Sequence, residues 1–596
     1  MNSEVSASTN STQHGLPVLH PLYYLDNFEL VLDWVRSRYD DVLNAEEKQF
    51  IADFPNLPQA SRALFVRMVM RRGELFRRSK LSYAEIGDIE KAMRALLELG
   101  WVKEDPALDL PAVFDLLLKP ELAAAFSLTP AQKQLKKSDL LAQLMQTAAA
   151  EQQDSELCIH APAASVASAP SAPPAPFSAW HPNSGDIVWQ IQVKELCHRL
   201  RLIFFGNAHQ DWSEFVLADL GIYQYETIAF PPEARGFQSR RDVDDYLALQ
   251  ACRDAFDLLG STTSDQEAYA QETRDLLPKI HQIQIDNAWI ERRRHRLLFQ
   301  MGQAIEKLQD WPLALDLYRC STYPGARQRC IRVLEKMGES AAALELLNQA
   351  LAAPESDAEH QQLMRSAPRL NRKLGLQKPE KKTVAPVETL HLQLPYPTED
   401  FYVEHVVREH LHQDGAPVFY VENALLNSLL GLLCWPAIFK ALPGAFFHPF
   451  HRGPVDLNSE DFVQRRADDF AHCFTLLESD AYRDRIRQTY AEKYGKQSPF
   501  VFWETLDEEL LEMALHCIPA RDLRHWFTRI LSDIKSNRSG FPDLIQFYPE
   551  RGAYQLIEVK GPGDKLQDNQ LRLIEFCQQH GLPISVCYLR WQEDAP

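Results

Sequence analysis

The sequence predicts a multidomain protein of the α plus α/β class, with several largely helical regions leading into one small C-terminal α/β domain. Three observations carry this expectation. The chain has 596 residues, more than a single hydrophobic core organises. Apolar residues recur at helical spacing over residues 20–150 and again over 183–380. Short β-rich runs come only near the C-terminus, as "PDLIQFY", "AYQLIEVK" and "PISVCYLRW". Apolar residues at 45% and charged ones at 24% are ordinary for a globular chain. A net charge of −19 argues against coating nucleic acid through bulk charge, yet leaves room for a local basic groove.

The first region, 1–125, begins with the polar "MNSEVSASTNSTQHGLPVLH", which lacks the basic and apolar segments of a signal peptide. A basic run follows: Arg67, Arg71, Arg72, Arg77, Arg78 and Lys80. "LSYAEIGDIEKAMRALLELGWV" then has helical spacing that ends at Gly100, a C-cap residue. Residues 126–160 hold "SLTPAQKQLKKSDLLAQLMQ", a helix–turn–helix candidate that exposes Lys133, Lys136 and Lys137. Residues 161–180 are a Pro/Ala/Ser tract that reads as a linker.

The region 181–390 is expected to be helical. Leu298, Gly302, Ile305, Ala314 and Tyr318 fall at the offsets of a tetratricopeptide helix pair, and "RVLEKMGESAAALELLNQAL" echoes it with Ala343 in the place of Ala314. Generic helical hairpins stay open as the alternative. "NRKLGLQKPEKKTVAPVETLHLQLP" reads as a connector into the last domain, 391–596. There the most apolar window, "ALLNSLLGLLCWPAIFKALPGAFF", is interrupted by Asn427, Pro436, Lys440 and Pro443, which argues against a membrane span. The ten cysteines form no CxxC pair, so reduced, mostly buried thiols in a soluble cytoplasmic protein are expected.

The chemistry concentrates in "FPDLIQFYPERGAYQLIEVKGPGDK". "PERGA" joins two strands into a hairpin, and a helix, "LQDNQLRLIEFCQQH", leads to a third strand. Side chains alternate along a strand, so Glu558 and Lys560 share one face while Ile557 and Val559 take the other. Hairpin pairing brings Asp543 beside them. Two converging carboxylates are costly unless a cation neutralises them, and hard oxygen ligands suit Mg²⁺ or Mn²⁺. The carbonyl of Val559 offers a further ligand. Lys560 can orient water or neutralise developing negative charge. An edge strand with a surface ion pair is the competing account of a lone ExK. The combination of Asp after Pro, a short hairpin and ExK closing an apolar strand favours a metal-dependent phosphodiesterase.

These residues resemble a known family. "FPDLIQF…LIEVKGPGDKLQDNQ" is similar to the VRR-NUC module of the PD-(D/E)xK superfamily, and "VENALLNSLLGLLCWPAIF" with "RSGFPDL" resembles the Fanconi-associated nucleases. The likeness is specific over residues 395–596. It extends more loosely through "FFGNAHQDWSEFVLADLGI" and the helical repeats to "KKSDLLAQL", which makes 126–160 SAP-like and 181–390 TPR-like. No ubiquitin-binding zinc finger is found, so a compact, bacterial member is expected, cytoplasmic and at the nucleoid when acting; a eukaryotic member would be nuclear. The resemblance implies that Glu422 is a further metal ligand at the start of the long apolar helix, where residue type alone would make it a dipole-stabilising cap. It also implies catalytic roles for Asp543, Glu558 and Lys560, and a polar residue, Gln570, facing the site from the next helix. A solvated helix glutamine is the simpler account of Gln570. Arg538, before the Gly-Phe-Pro-Asp turn, is placed to contact a phosphate or to stay in an exposed loop.

Two other motifs carry less. His448 and His451 have HxxH spacing without a third ligand, which favours a core or loop pair. "GPGDK" lacks the Lys-Ser/Thr of a phosphate loop. DNA contacts are expected from "ERRRHR" with Arg292, Arg293, Arg294 and Arg296, from the Arg67–Lys80 run, from Lys136 and Lys137, and from "RDRIRQTYAEKYGK". Such contacts position branched or flapped double-stranded DNA without reading its sequence. The resemblance implies 5′-flap endonuclease and 5′→3′ exonuclease activity in interstrand-crosslink repair, by a monomer on DNA. A junction resolvase and a catalytically dead repair scaffold are the alternatives.

Overall fold

The computed structural model describes residues 20–155, 174–210, 223–262, 265–376, 387–397 and 402–592. The opening polar segment, most of the Pro/Ala tract, "DWSEFVLADLGI" and "QKPEKKTVAP" lie outside the described residues. The chain divides into two units, Met1–Ile222 and Tyr223–Pro596.

In the first unit, helices Tyr23–Tyr39, Ala45–Asp53 and Gln59–Val69 surround an aromatic core of Phe28, Phe50, Phe54, Phe65 and Trp101. The helix anticipated before Gly100 runs Ile89–Glu98. Asp88 caps it by accepting the Lys91 N–H, and Gly100 turns the chain out of it with φ +68°. Strand Val188–Ile191 lies between Leu75–Arg77 and Val102–Glu104 in a three-stranded antiparallel sheet.

A second core gathers Leu108, Val113, Phe114, Leu122, Leu140 and Phe177. Helices Pro130–Gln134 and Lys137–Ser155 supply the expected turn between helices, with Lys133 and Lys136 exposed and Lys137 half-buried. The end of the Pro/Ala tract departs from a linker. Ala175–Pro176 pairs with Ala107–Leu108, and the fully buried Phe177 anchors helix Phe177–Trp180 in this core. Aromatic burial outweighs the local Pro/Ala composition there.

In the second unit, five helices stack in sequence: α1 (Ala288–Lys307), α2 (Trp311–Arg319), α3 (Ala326–Met337), α4 (Ser340–Ala352) and α5 (Asp357–Lys373). A Cβ on Gly302 would lie 2.7 Å from the Tyr318 ring, so only glycine admits that ring between α1 and α2. The Tyr318 hydroxyl donates to Glu306 at 2.7 Å. Ala314 and Ala343 are both fully buried at the matching positions of α2 and α4.

The C-terminal part holds a five-stranded sheet of order β1-β5-β4-β3-β2. Its strands are β1 (Glu388–Leu394), β2 (Val418–Tyr420), β3 (Leu544–Tyr548), β4 (Ala553–Lys560) and β5 (Ile584–Trp591); α6 (Val403–Leu411) and α7 (Leu425–Leu433) flank β2 in the chain. The β3–β4 hairpin is antiparallel, with Leu544 opposite Ile557. From β4 the chain crosses through α8 (Asp568–His580) to β5, parallel to β4 with Glu558 beside Val586. Strand β1 lies in the stretch expected to be a connector. Leu390, Leu392 and Leu394 alternate with polar residues, which makes "ETLHLQL" an edge strand parallel to β5.

The apolar window at 424–447 forms α7 and its continuation, buried against Trp526, Phe527 and Phe500. Among the described residues, no helix is long and apolar enough to cross a membrane. The nine described cysteines are free.

Candidate active site

Both faces of β4 are buried. Tyr554 and Leu556 enter the large core with the helices; Ile557 and Val559 enter a smaller one with Val407 of α6 and Leu589 of β5. Glu558 and Lys560 continue the Tyr554–Leu556 face past the end of that core. They stay buried, at 2% and 8% exposure.

Continuing the hairpin register by one step sets Asp543 opposite Glu558. Its carboxylate accepts the Val559 N–H at 2.8 Å, and its carbonyl accepts the Val421 N–H at 2.8 Å. The second bond ties the end of β2 to the start of β3 and sets Glu422 beside the pair. Glu422 lies in the turn before α7, not inside a helix. Asn423 has φ +53°, which breaks the chain direction before the helix starts at Leu425. Glu422 is exposed, and it accepts the Tyr420 hydroxyl at 2.5 Å and the Asn423 amide at 3.2 Å.

Lys560 Nζ lies 2.7 Å from Glu558 Oε1, and Gln570 Nε2 donates to the same oxygen at 2.5 Å. Gln570 is the third residue of α8, and its own Oε1 accepts the Gln567 N–H in a capping box. The resemblance placed Gln570 near the site; the side chain reaches it by capping its own helix.

The electrostatics are those of an under-neutralised cluster. Burial first, then the Glu404 and Glu422 charges, push Asp543 up to about 6, against the Val559 N–H and Lys560. Burial first, then the Asp543 charge, pushes Glu558 up to about 7 despite Lys560. One ammonium faces two buried carboxylates with two more nearby. Among the described residues, no three acidic, histidine or cysteine groups are already drawn together as a metal cage. The donor set nonetheless fits a hard cation: two carboxylates that resist losing their protons without one, and Glu422 at the open edge.

The predicted basic residues divide sharply. Arg292 binds Asp461 at 2.9 Å; Arg294 binds Glu291 at 2.5 Å and the Ile283 carbonyl at 2.7 Å. Arg293 packs its guanidinium over Tyr246, 4.4 Å from the ring centre, and burial lowers its pKa. Of "ERRRHR", only Arg296 is exposed. Arg538 donates to the Pro499 carbonyl and stacks 4.8 Å from the Phe500 ring, so its loop is packed, not free. In the first unit Arg67 pairs with Glu85, Arg77 with Asp186 and Glu121, and Arg78 with Glu90, while Arg71 and Arg72 stay exposed. Arg483 and Arg487 pair with Asp480 and Glu512, and Lys493 with Glu226. A run of charges in sequence says nothing of the carboxylates that folding brings to it.

His448 and His451 are a core pair, their rings stacked 3.9 Å apart; His451 accepts the Phe447 N–H and His448 the Phe450 N–H.

Three family models match the chain: the FAN1 HTH domain over residues 22–103, the Fanconi anemia-associated nuclease SAP domain over 107–180, and the VRR-NUC domain over 477–591. The SAP match is wider than residues 126–160 and follows the core that Phe177 completes. A Fanconi-associated nuclease 1 homolog of Pseudomonas aeruginosa is 48% identical over 595 residues, covering 100% of both chains. A homolog from Arabidopsis thaliana is 23% identical over 95% of this chain and 67% of its own length. The crystal structure of paFAN1 bound to 2-nt 5′-flap DNA with a gap is 49% identical, with a TM-score of 0.81 over 97% of this chain and 100% of that one. The same protein with a 1-nt flap gives 0.79 over 96% of this chain. Full-length identity at this level, with the carboxylate–lysine cluster inside the VRR-NUC match, shows that the chain belongs to the Fanconi-associated nuclease family and is a DNA nuclease.

Proposed function

We propose that this nuclease cuts 5′-flapped DNA as an endonuclease and degrades DNA 5′→3′ as an exonuclease, in the repair of interstrand crosslinks. It would do so with Mg²⁺ or Mn²⁺ held by Asp543, Glu558, Glu422 and the Val559 carbonyl. The observation that carries the reading is the pair of buried carboxylates on adjacent strands, raised in pKa and answered by one lysine. When bound, the cation offsets the charge that builds on the phosphoryl group and makes water acidic enough to attack near neutral pH.

The protein's own residues do the rest. Asp543 is fixed by the Val559 N–H, so its free oxygen points to a constant place. Gln570 and Lys560 both engage one oxygen of Glu558, which leaves the other for the cation. Lys560 holds a proton within reach of an attacking water or a developing oxyanion. The exposed edge at Glu422 leaves a side open for a phosphodiester. The likeness to a protein crystallised on 5′-flap DNA supports the flap as substrate. Arg71, Arg72, Lys80, Lys136, Arg296 and Arg485 are predicted positions that stay exposed and are suited to duplex phosphates.

One strand sequence built as a 5′ flap, a 3′ flap and a four-way junction tests the specificity. Incision foremost on the 5′ flap, and digestion of a crosslinked duplex up to or past the lesion, are expected. Paired symmetric cuts in the junction as the preferred reaction would favour the resolvase instead.

A further inference from the structure

Asp543 and Glu558 are fixed from within the sheet, but Glu422 is exposed in the turn between β2 and α7. An exposed glutamate samples several rotamers, and ordering it for a ligand costs conformational entropy. The residue that follows it does this ordering in advance. Asn423 sits at φ +53°, in the left-handed region that asparagine tolerates better than most side chains. Its side-chain amide joins two segments of the chain. Oδ1 accepts the Phe541 N–H at 3.1 Å, and Nδ2 donates to Glu422 Oε1 at 3.2 Å. Phe541 lies two residues ahead of Asp543, and its buried ring packs on Trp526 with centres 5.8 Å apart.

We propose that Asn423 is a positioning residue for the nuclease: its amide fixes the Glu422 carboxylate relative to Asp543 and so raises the affinity for the cation. This rests on the reading of Glu422 as a cation ligand above. Three observations carry it. First, the orientation of the amide is determined. A backbone N–H can only donate, so Phe541 takes the oxygen end and leaves the nitrogen for Glu422. The other carboxylate oxygen, Oε2, is held by the Tyr420 hydroxyl at 2.5 Å. Each oxygen of an ionised carboxylate keeps a lone pair after accepting one such bond.

Second, the bridge is anchored on both sides. The Val421 N–H donates to the Asp543 carbonyl at 2.8 Å. Asn427, buried in the first turn of α7, donates to the Asn423 carbonyl at 2.7 Å and to the Arg538 carbonyl at 2.9 Å. The turn that carries Glu422 and the loop that leads to Asp543 are therefore tied at three points. Third, the residue type matches the task. Position 423 needs tolerance of a positive φ, an acceptor for an amide and a donor toward a carboxylate. Glycine meets the first need alone, and aspartate lacks the donor.

The test measures Mn²⁺ binding to the full chain without DNA, from the electron paramagnetic resonance signal of the free ion. It compares the wild type, Glu422→Gln, Asn423→Gly and the two substitutions combined. Glycine keeps the left-handed turn and removes the amide, and metal-free thermal midpoints establish folding. Asn423→Gly should weaken Mn²⁺ binding about tenfold. The double variant should bind no more weakly than Glu422→Gln alone, because the amide acts through that carboxylate. In flap cleavage by Asn423→Gly, the Mn²⁺ concentration for half-maximal rate should rise in step while kcat at saturating Mn²⁺ holds.

Wild-type Mn²⁺ affinity in Asn423→Gly would overturn the proposal. So would a full further loss when Asn423→Gly is added to Glu422→Gln, which would place its effect on the loop before Asp543. Wild-type protein that binds no Mn²⁺ but still cuts flaps would sink the cation assignment and the proposal together. The expected coupling in a protein that cuts no flap would uphold the proposal and sink the flap-cleavage reading.

Discussion

Two of the ionic clusters buried in the second unit are opposites. In one, Asp456 is held by Arg466 through two parallel bonds of 2.9 and 3.0 Å and by Arg465 at 2.6 Å; Arg466 and Asp456 are wholly buried. Positive charge exceeds negative there, and the Arg466 guanidinium also lies 4.1 Å from the Phe462 ring. In the other, Asp543 and Glu558 share one lysine, and both carboxyls are pushed towards the protonated form. The first cluster is complete as it stands and serves to hold the fold. The second lacks a positive charge, a deficit that a bound cation would fill. Burial alone does not mark a functional charge; the balance of charge around it does.

The sharpest way to break this contrast is to remove Arg466. Arg466→Ala leaves Asp456 buried without its two-pronged partner, and denaturant melts should show a loss of about 3–5 kcal/mol. A loss near zero would mean that the cluster is not structural.

The histidine pair supplies a third case, buried groups that stay neutral. Burial holds His451 down to about 3, and His448 also falls well below the usual histidine value. The unfolded chain takes up protons near pH 6.5 while the folded chain does not, so stability present above that pH is lost as pH falls. Between pH 7 and 5.5 the decline should be about 2 kcal/mol, and should shrink in His451→Gln.

The active-site pair has the opposite sign. Its carboxyls have folded pKa values above their unfolded ones, so their contribution is most favourable below about pH 4 and is lost as pH rises through 6 to 7. Asp543→Asn should therefore stabilise the metal-free protein at pH 7 by about 1–2 kcal/mol, an advantage that vanishes at pH 4 and that added Mn²⁺ reverses by stabilising only the wild type. Thermal melts across pH check this.

The smallest effect is expected at the exposed Arg365–Asp568 contact. Asp568→Asn should leave the thermal midpoint in place and slow cleavage a few-fold, because the first turn of α8 carries Gln570 to Glu558.

Much of the site was legible because strand geometry is short-range. The period-2 alternation of "LIEVK" placed Glu558 and Lys560 together, and the hairpin placed Asp543. Glu422 needed a family likeness, since its position depends on β2 pairing with β3 across more than a hundred residues. Strand β1 was hidden by its charged, Pro-bearing approach. The arginines of "ERRRHR" misled for a similar reason: Asp461, which holds Arg292, is 169 residues away.

Whether DNA is cut at the uncompensated carboxylates is decided by Glu558→Gln on a 5′-labelled flap with Mg²⁺ or Mn²⁺, following binding and incision together. Removing this carboxylate should leave flap binding within a few-fold of the wild type and abolish incision. Incision by the variant at close to the wild-type rate would place the chemistry elsewhere in the molecule.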